Sequence, residues 1–338
     1  MAPSAITPDA SPVLKPAPMG DAIKSKIQSK QWLADLHRDG FVVVKSAIPR
    51  DRALGYQAAA HKWLTSFGTA LDLENPDTWT KDNLPAQSKI NTFHGYCVTH
   101  EKFVWDARTE PDVLDVFATI WDTDELLVSF DALNITLPNR RDVPRKPAWE
   151  HVDQSPLRQG LHCVQGILSL SPSGPEDGGL VVYPGSQNLF REFFDTQTDK
   201  STWKPADSFL HTPEHLAWFA ARGCKPHKVI ADVGDLILWD SRTVHYGSEP
   251  SETSQQIRTI VYAAYTPAKL ATPEQLEIKK EVFQNYGSTT HWPHDNIRQR
   301  PTKTFLADGT RDPRDRDEPL EKPEYTDKLL KLAGVKAY

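Results

Sequence analysis

Between residues 126 and 265 short β-branched and aromatic runs recur at close intervals, separated by Gly, Pro, Asp and Ser turns. The runs at 126–137, 161–170, 179–183, 228–231, 235–239 and 256–265 read as strands. So many short strands in sequence predict a β-sandwich or barrel, in which each strand turns alternate side chains to its two faces. The class is mainly β with flanking α-helices.

The helices lie at either side of this stretch. Residues 29–36 carry a helical pattern stopped by Gly40, the β-branched run Phe41-Val42-Val43-Val44 follows as a strand, and 53–67 is an Ala-rich helix. Pro111 suits a first helical position, with Val113, Val116, Phe117 and Ile120 on one face. Thr272-Pro273-Glu274-Gln275 is a capping box, and Gly287 stops the helix it opens. An aromatic, Pro-punctuated insertion occupies 187–226, with a helix start at Thr212-Pro213; both a lid and a plain surface excursion fit it. The expected layout is a flexible, Pro-rich arm at 1–20 and a single domain at 21–298. That domain divides into a helical buttress 21–125, a β core 126–267 and an outer helix 272–287. A charged tail at 299–338 packs on the outside.

A length of 338 residues allows one large all-β core. A net charge of −6 without a basic block gives no footprint for a phosphate backbone, so no nucleic-acid partner is expected. No apolar run nears the roughly 18 residues of a membrane span, so no membrane partner is expected either. Cys97, Cys163 and Cys224 are an odd set without C-x-x-C spacing, which fits buried thiols in a reducing compartment. The residues between Met1 and Gly20 lack the apolar core of a signal peptide, and Lys336-Ala337-Tyr338 is not a peroxisomal address. The expected location is cytoplasmic, and the expected partner is a small-molecule substrate.

The chemistry concentrates in Glu150-His151-Val152-Asp153. On an extended strand the imidazole and the carboxylate, two residues apart, share one face, so both can meet one metal ion. His245, just past the run at 235–239, offers a third ligand. Two His and one Asp are the composition of a facial triad, which binds Fe(II) on one side and leaves positions open opposite. Thirteen residues on, Arg258 stands in the apolar run Ile257, Thr259, Ile260, Val261, Tyr262. A charge there either grips a carboxylate bidentately or lies on a solvent face, and the strand pattern supports both equally.

The joint order of Trp149-Glu150-His151-Val152-Asp153-Gln154, Gly178-Gly179-Leu180-Val181-Val182-Tyr183-Pro184-Gly185-Ser186, Gly234-Asp235-Leu236-Ile237-Leu238-Trp239, His245 and Arg258 resembles the phytanoyl-CoA dioxygenase family of Fe(II)/2-oxoglutarate-dependent oxygenases. The match runs from Gly40 to Pro267. It implies a double-stranded β-helix, the cupin-like jelly roll, with helices outside. It implies that His151, Asp153 and His245 ligate iron, that 2-oxoglutarate and O₂ are cosubstrates, and that Arg258 pairs with the distal carboxylate of 2-oxoglutarate. A hydroxyl commonly assists that Arg two residues after the distal His. Here the position is Gly247, so Ser248 is the substitute candidate, and Asn134 is a further cosubstrate candidate. Halogenating relatives carry Gly or Ala where this chain has Asp153, so halogenation is disfavoured. The implied reaction releases succinate and CO₂ and hydroxylates, desaturates or cyclises a small organic metabolite.

Substrate-wall candidates are Trp149, Gln154, Gln165, Tyr246 and Tyr262, with core packing as the alternative for each. Residues 91–100 and the turn His291-Trp292-Pro293-His294 are candidates to border the pocket. His211 and His215 are four apart, but the helix start between them is expected to make the pair diverge. A catalytically silent jelly-roll binding protein and a Zn-dependent hydrolase are the competing readings; Arg258 and the missing general-base motif count against the second. No G-x-S-x-G, P-loop or G-x-G-x-x-G is present.

Overall fold

The computed structural model describes residues 31–338 apart from Arg298 and Ala307; the Pro-rich arm read at 1–20 lies outside the described residues. The strand-forming runs become β1 (Phe41–Val44), β2 (Thr92–Phe93), β3 (Leu126–Val128), β4 (Leu133–Thr136), β5 (His151–Val152), β6 (Val164–Ser169), β7 (Gly179–Val182), β8 (Phe209–Leu210), β9 (His227–Lys228), β10 (Leu236–Asp240), β11 (His245–Ser248) and β12 (Arg258–Pro267). One sheet has the order β1-β10-β6-β12-β4-β2, with β3 also pairing β12, and the other has the order β8-β5-β11-β7-β9. All pairings are antiparallel. From β4 to β12 successive strands pass from one sheet to the other, the short edge strands β8 and β9 excepted. That is the double-stranded β-helix that the resemblance implies.

The helices are α1 (Gln31–Asp39), α2 (Arg50–Thr65), α3 (Lys102–Arg108), α4 (Pro111–Trp121), α5 (Phe190–Gln197), α6 (Pro213–Ala220), α7 (Pro273–Gln284) and α8 (Asp327–Leu332). α4 opens on Pro111 and ends at Asp122 in the left-handed region. At α7 both halves of the capping box form, Gln275 N to Thr272 Oγ1 and Thr272 N to Gln275 Oε1.

Period-two alternation sorts the sheet residues into three apolar layers. Leu236 and Leu238 of β10, Leu168 of β6 and Val261 of β12 pack outward against Leu33, Trp63 and Phe117 of the N-terminal helices. Ile237, Trp239, Ile167 and Ile260, from the opposite parity of the same strands, meet Leu180 and Val182 of β7 between the sheets. On the outer face of the second sheet, Val152 and Val244 pack against Phe190, Phe193, Phe194 and Phe219 of the insertion. Fully burying such a side chain contributes roughly 2 kcal/mol, so these layers fix which parity faces inward. The 187–226 insertion thus supplies an edge strand and an aromatic layer to the second sheet.

One expected element divides. The run at 126–137 breaks between β3 and β4, which pair with different ends of β12. The backbone at the break is satisfied elsewhere: Phe130 O accepts from Thr289 N, and Asp131 O accepts from Arg108 Nη2 at 2.7 Å. Those outside partners let the chain leave the ladder without orphaned carbonyls.

Gly234 sets the turn into β10. It sits at φ +88°, and a Cβ there would stand 2.1 Å from Ile48 O, whose own residue donates N–H to Gly234 O. Gly234→Ala is expected to cost more than about 2 kcal/mol in chemical denaturation. Gly55→Ala, in α2 with nothing within 4 Å of the new methyl, is expected to gain about 0.5–1 kcal/mol. Similar effects from the two substitutions would show that the Gly234 turn relaxes freely.

Candidate metal centre and its cavity

β5 and β11 are neighbours, and their register makes His151 and His245 direct cross-strand partners. Their rings lie 4.3 Å apart, centroid to centroid. Asp153, two residues past His151, returns to the same face, and its backbone N–H donates to Ser241 O at 2.9 Å. His151 Nε2 stands 3.5 Å from Asp153 Oδ1, and His245 Nε2 stands 3.3 Å from Oδ2. One ligand atom from each residue fits within a 4.8 Å span.

Each imidazole is oriented through its other nitrogen. His151 Nδ1 contacts Trp149 O at 3.1 Å, and His245 Nδ1 contacts Thr243 O at 2.8 Å. A carbonyl can only accept, so Nδ1 carries the proton and the Nε2 lone pair is left for a cation. Gln165 Nε2 donates to Asp153 Oδ2 at 2.9 Å, and the Trp149 ring stacks on His151 at 4.1 Å. Burial pulls His151 down, but the adjacent Asp153 charge raises it above its ordinary value. Burial and the His151 charge lower His245. Burial opposes the charge of Asp153, yet His151, His291 and His245 hold its carboxyl well below the usual range. This is an ionised carboxylate between two imidazoles competing for a proton, and a divalent cation relieves the same demand. Two imidazole nitrogens and one carboxylate oxygen, with their outer partners in place, fit Fe(II) in a facial triad.

The triad opens into a cavity of about 340 Å³. Arg258 of β12 reaches it from the first sheet, opposite Thr136 in register. Its Nη1 donates to Asn134 Oδ1 at 3.3 Å, and its Nε has no partner among the described residues. Burial lowers its pKa, and nearby Tyr262 raises it. Asn134 Oδ1 also accepts from Thr136 Oγ1 at 2.9 Å, and its Nδ2 donates to Ile90 O at 2.8 Å. The carboxamide is therefore engaged on both sides and braces the guanidinium.

Trp149, Gln165 and Tyr262 line the cavity with the triad. Gln154 and Tyr246 do not, because each follows an inward-facing ligand by one residue and alternation turns it outward. Gln154 bonds Gly160 O and accepts from Ser241 Oγ, while Tyr246 packs against the aromatic layer of the insertion. Ser248 borders the cavity, but its hydroxyl donates to Gly179 O at 3.1 Å and accepts from Lys228 Nζ at 2.9 Å. His211 and His215 do not diverge as expected: their rings are 5.9 Å apart and nearly perpendicular, both packed on Phe193. His215 Nδ1 caps Thr212 N instead. Asn91, Thr92, His94 and His291 do border the cavity. Asp131, Thr136, Thr290 and Arg300 also line it and were missed. Thr136 was findable as an inward strand position two residues from Asn134; the other three stand on irregular chain without a local signal.

The family profile described as phytanoyl-CoA dioxygenase (PhyH) matches residues 36–260. The chain is 41% identical over 268 residues to Ava biosynthesis cluster protein O of Aspergillus versicolor, spanning 78% of this chain and 86% of that protein. Among solved structures, it is similar to apo EctD from S. alaskensis, with TM-score 0.50 and 20% identity over 78% of this chain and 85% of that one. The same enzyme with bound Fe aligns with TM-score 0.50 and 20% identity over 71% and 77%. Profile match, relative and converging triad agree: the chain belongs to the phytanoyl-CoA dioxygenase family and is a non-haem Fe(II)/2-oxoglutarate-dependent oxygenase.

Proposed function

We propose that His151, Asp153 and His245 hold Fe(II), that Arg258 anchors the distal carboxylate of 2-oxoglutarate, and that the enzyme oxidises a C–H bond of a small organic metabolite. The observation that carries these assignments is a single cavity holding both the triad and a buried guanidinium whose hydrogen-bond partner is a neutral amide. Bound iron supplies O₂ activation coupled to conversion of 2-oxoglutarate to succinate and CO₂, with hydroxylation as the default outcome and desaturation or ring closure as variants. Everything else falls to the chain.

Arg258, itself buried in the cavity wall, offers a bidentate fork to a carboxylate. Asn134 keeps that fork from swinging, and Gln165 fixes which Asp153 oxygen turns to the metal. Trp149 covers one face of His151. These contacts hold substrate and cosubstrate in place and limit water, which is the part of oxygenation a protein must provide. The relative named for a biosynthesis cluster supports a metabolite rather than a macromolecule as substrate. None of the described helices is long and apolar enough to cross a membrane, and the three thiols are free and buried, which supports a cytoplasmic setting.

Anaerobic titration with Fe(II) and 2-oxoglutarate tests the assignments through the weak visible charge-transfer band of the chelate. Wild-type protein is expected to show the band and His151→Ala to lose it. Arg258→Met is expected to weaken 2-oxoglutarate binding by about ten- to a hundredfold, the worth of a charge-assisted hydrogen bond. Wild-type protein that binds Fe(II) but neither develops the band nor forms succinate would overturn the reading. Gln165→Leu is expected to lower Fe(II) affinity by about ten- to a hundredfold in competition with a chelator. Unchanged affinity would show that Asp153 is held without Gln165.

A further inference from the structure

The cavity is larger than the triad and Arg258 require, and beside the apolar Ile90, Ile167, Leu180 and Trp239 it has a polar stretch of wall. Asp131, His94, Thr290, His291 and Arg300 stand there. They come from three separate stretches docked together through the backbone. Phe130 N donates to Thr289 Oγ1 and Thr289 N to Phe130 O, fixing the chain beyond α7 against the break between β3 and β4. Arg300 N donates to Ser288 O at 2.9 Å, closing the loop that carries Thr290 and His291. Thr92 pairs with Asn134 in the first sheet and brings His94 alongside.

These groups have hydrogen-bonding capacity that the described residues do not use. His94 Nδ1, Thr290 Oγ1, His291 Nε2 and Arg300 Nε are buried atoms without a partner. Asp131 takes one bond, from Ala132 N at 2.7 Å, and it is in no ion pair among the described residues. Arg108, the nearby buried cation, donates instead to the backbone carbonyls of Thr99 and Asp131, each at 2.7 Å. Native proteins leave few buried polar groups unsatisfied, so orphans gathered on one cavity wall mark the place of a missing partner. The charges narrow its chemistry. Two positive charges of Fe(II) and one of Arg258 cancel those of Asp153 and 2-oxoglutarate. Of the other charged lining residues, Lys146 pairs with Glu249, Asp207 pairs with Arg158, and Lys89 is exposed. The Arg300 guanidinium and the Asp131 carboxyl then remain inside, close enough to interact through space yet not paired.

We propose that this wall reads the primary substrate through a group with an oxygen acceptor beside an N–H donor, the oxygen facing Arg300 and the N–H facing Asp131. A neutral amide or lactam has this chemistry, and so does the zwitterionic end of an amino acid. His94, Thr290 and His291 complete the contacts. The proposal rests on the oxygenase reading, since it gives that site its substrate class.

The test uses ligand-observed NMR affinities for small probes on anaerobic protein loaded with Fe(II) and 2-oxoglutarate. N-methylacetamide is set against methyl acetate, and L-alanine against propionate, so that each pair differs in the N–H. One N–H probe is expected to bind at least about tenfold tighter than its counterpart, the worth of one hydrogen bond to a charged group. Preference within the first pair points to an amide and within the second to an amino acid. Asp131→Asn is expected to erase the preference and Arg300→Met to weaken both members of the preferred pair, the chelate band persisting in each, and Arg300→Lys to keep part of that affinity. Equal affinities in both pairs, a preference that survives Asp131→Asn, or probe affinities unchanged by Arg300→Met would overturn the proposal. Failure of the wild type to develop the band would instead remove the oxygenase reading, and the probe ratios can still be read on metal-free protein.

Discussion

The register of β5 against β11 is the constraint on which the rest depends. His151 opposes His245 in that ladder, and β5 is only two residues long. A slip of one residue would exchange the imidazole for Val152 and turn the ligand face into the aromatic layer. The short strand is held from both sides, since His151 also pairs with Leu210 of the insertion. The insertion therefore helps fix the metal face while standing outside it.

The molecule handles its buried cations in different ways, and the differences separate structure from function. Arg108 donates to two backbone carbonyls, Thr99 O ahead of α3 and Asp131 O at the turn before β4. Lys279 donates to Val128 O beneath the Phe130 ring, and burial together with the Arg108 charge pushes its pKa well below the ordinary value. Arg108 Nε is idle too, but the terminal nitrogens of both side chains are spent on backbone carbonyls and neither residue lines the cavity. Arg258 has a neutral amide for its hydrogen-bond partner and an idle Nε, and it faces a cavity. Unspent capacity at a solvent-reachable cavity marks where a ligand belongs, whereas spent capacity marks a structural tie.

Much of this was legible in residue order. β1 occurs where its β-branched run predicts it, α4 begins at Pro111, and the capping box at Thr272 forms. These features depend on neighbours one to four residues away. The H-x-D spacing placed His151 and Asp153 on one face for the same reason. The expected wall role failed at Gln154 and Tyr246, although alternation already set them opposite their ligating neighbours. The pairing of His211 with His215 around Phe193 could not be read, because it depends on an aromatic layer assembled from α5 and α6.

The amino-acid sequence by itself determined the mainly β class, the ligand types and their spacing along the strand, because side-chain parity and local capping act over a few residues. Only the tertiary structure decided that His245 arrives opposite His151, that Asn134 braces Arg258, and that Asp131 and Arg300 share one wall with the metal centre. Those meetings join residues far apart in the chain. They follow from sheet pairing and from the burial of three apolar layers, whose energies add over the whole fold and leave no mark at any single position.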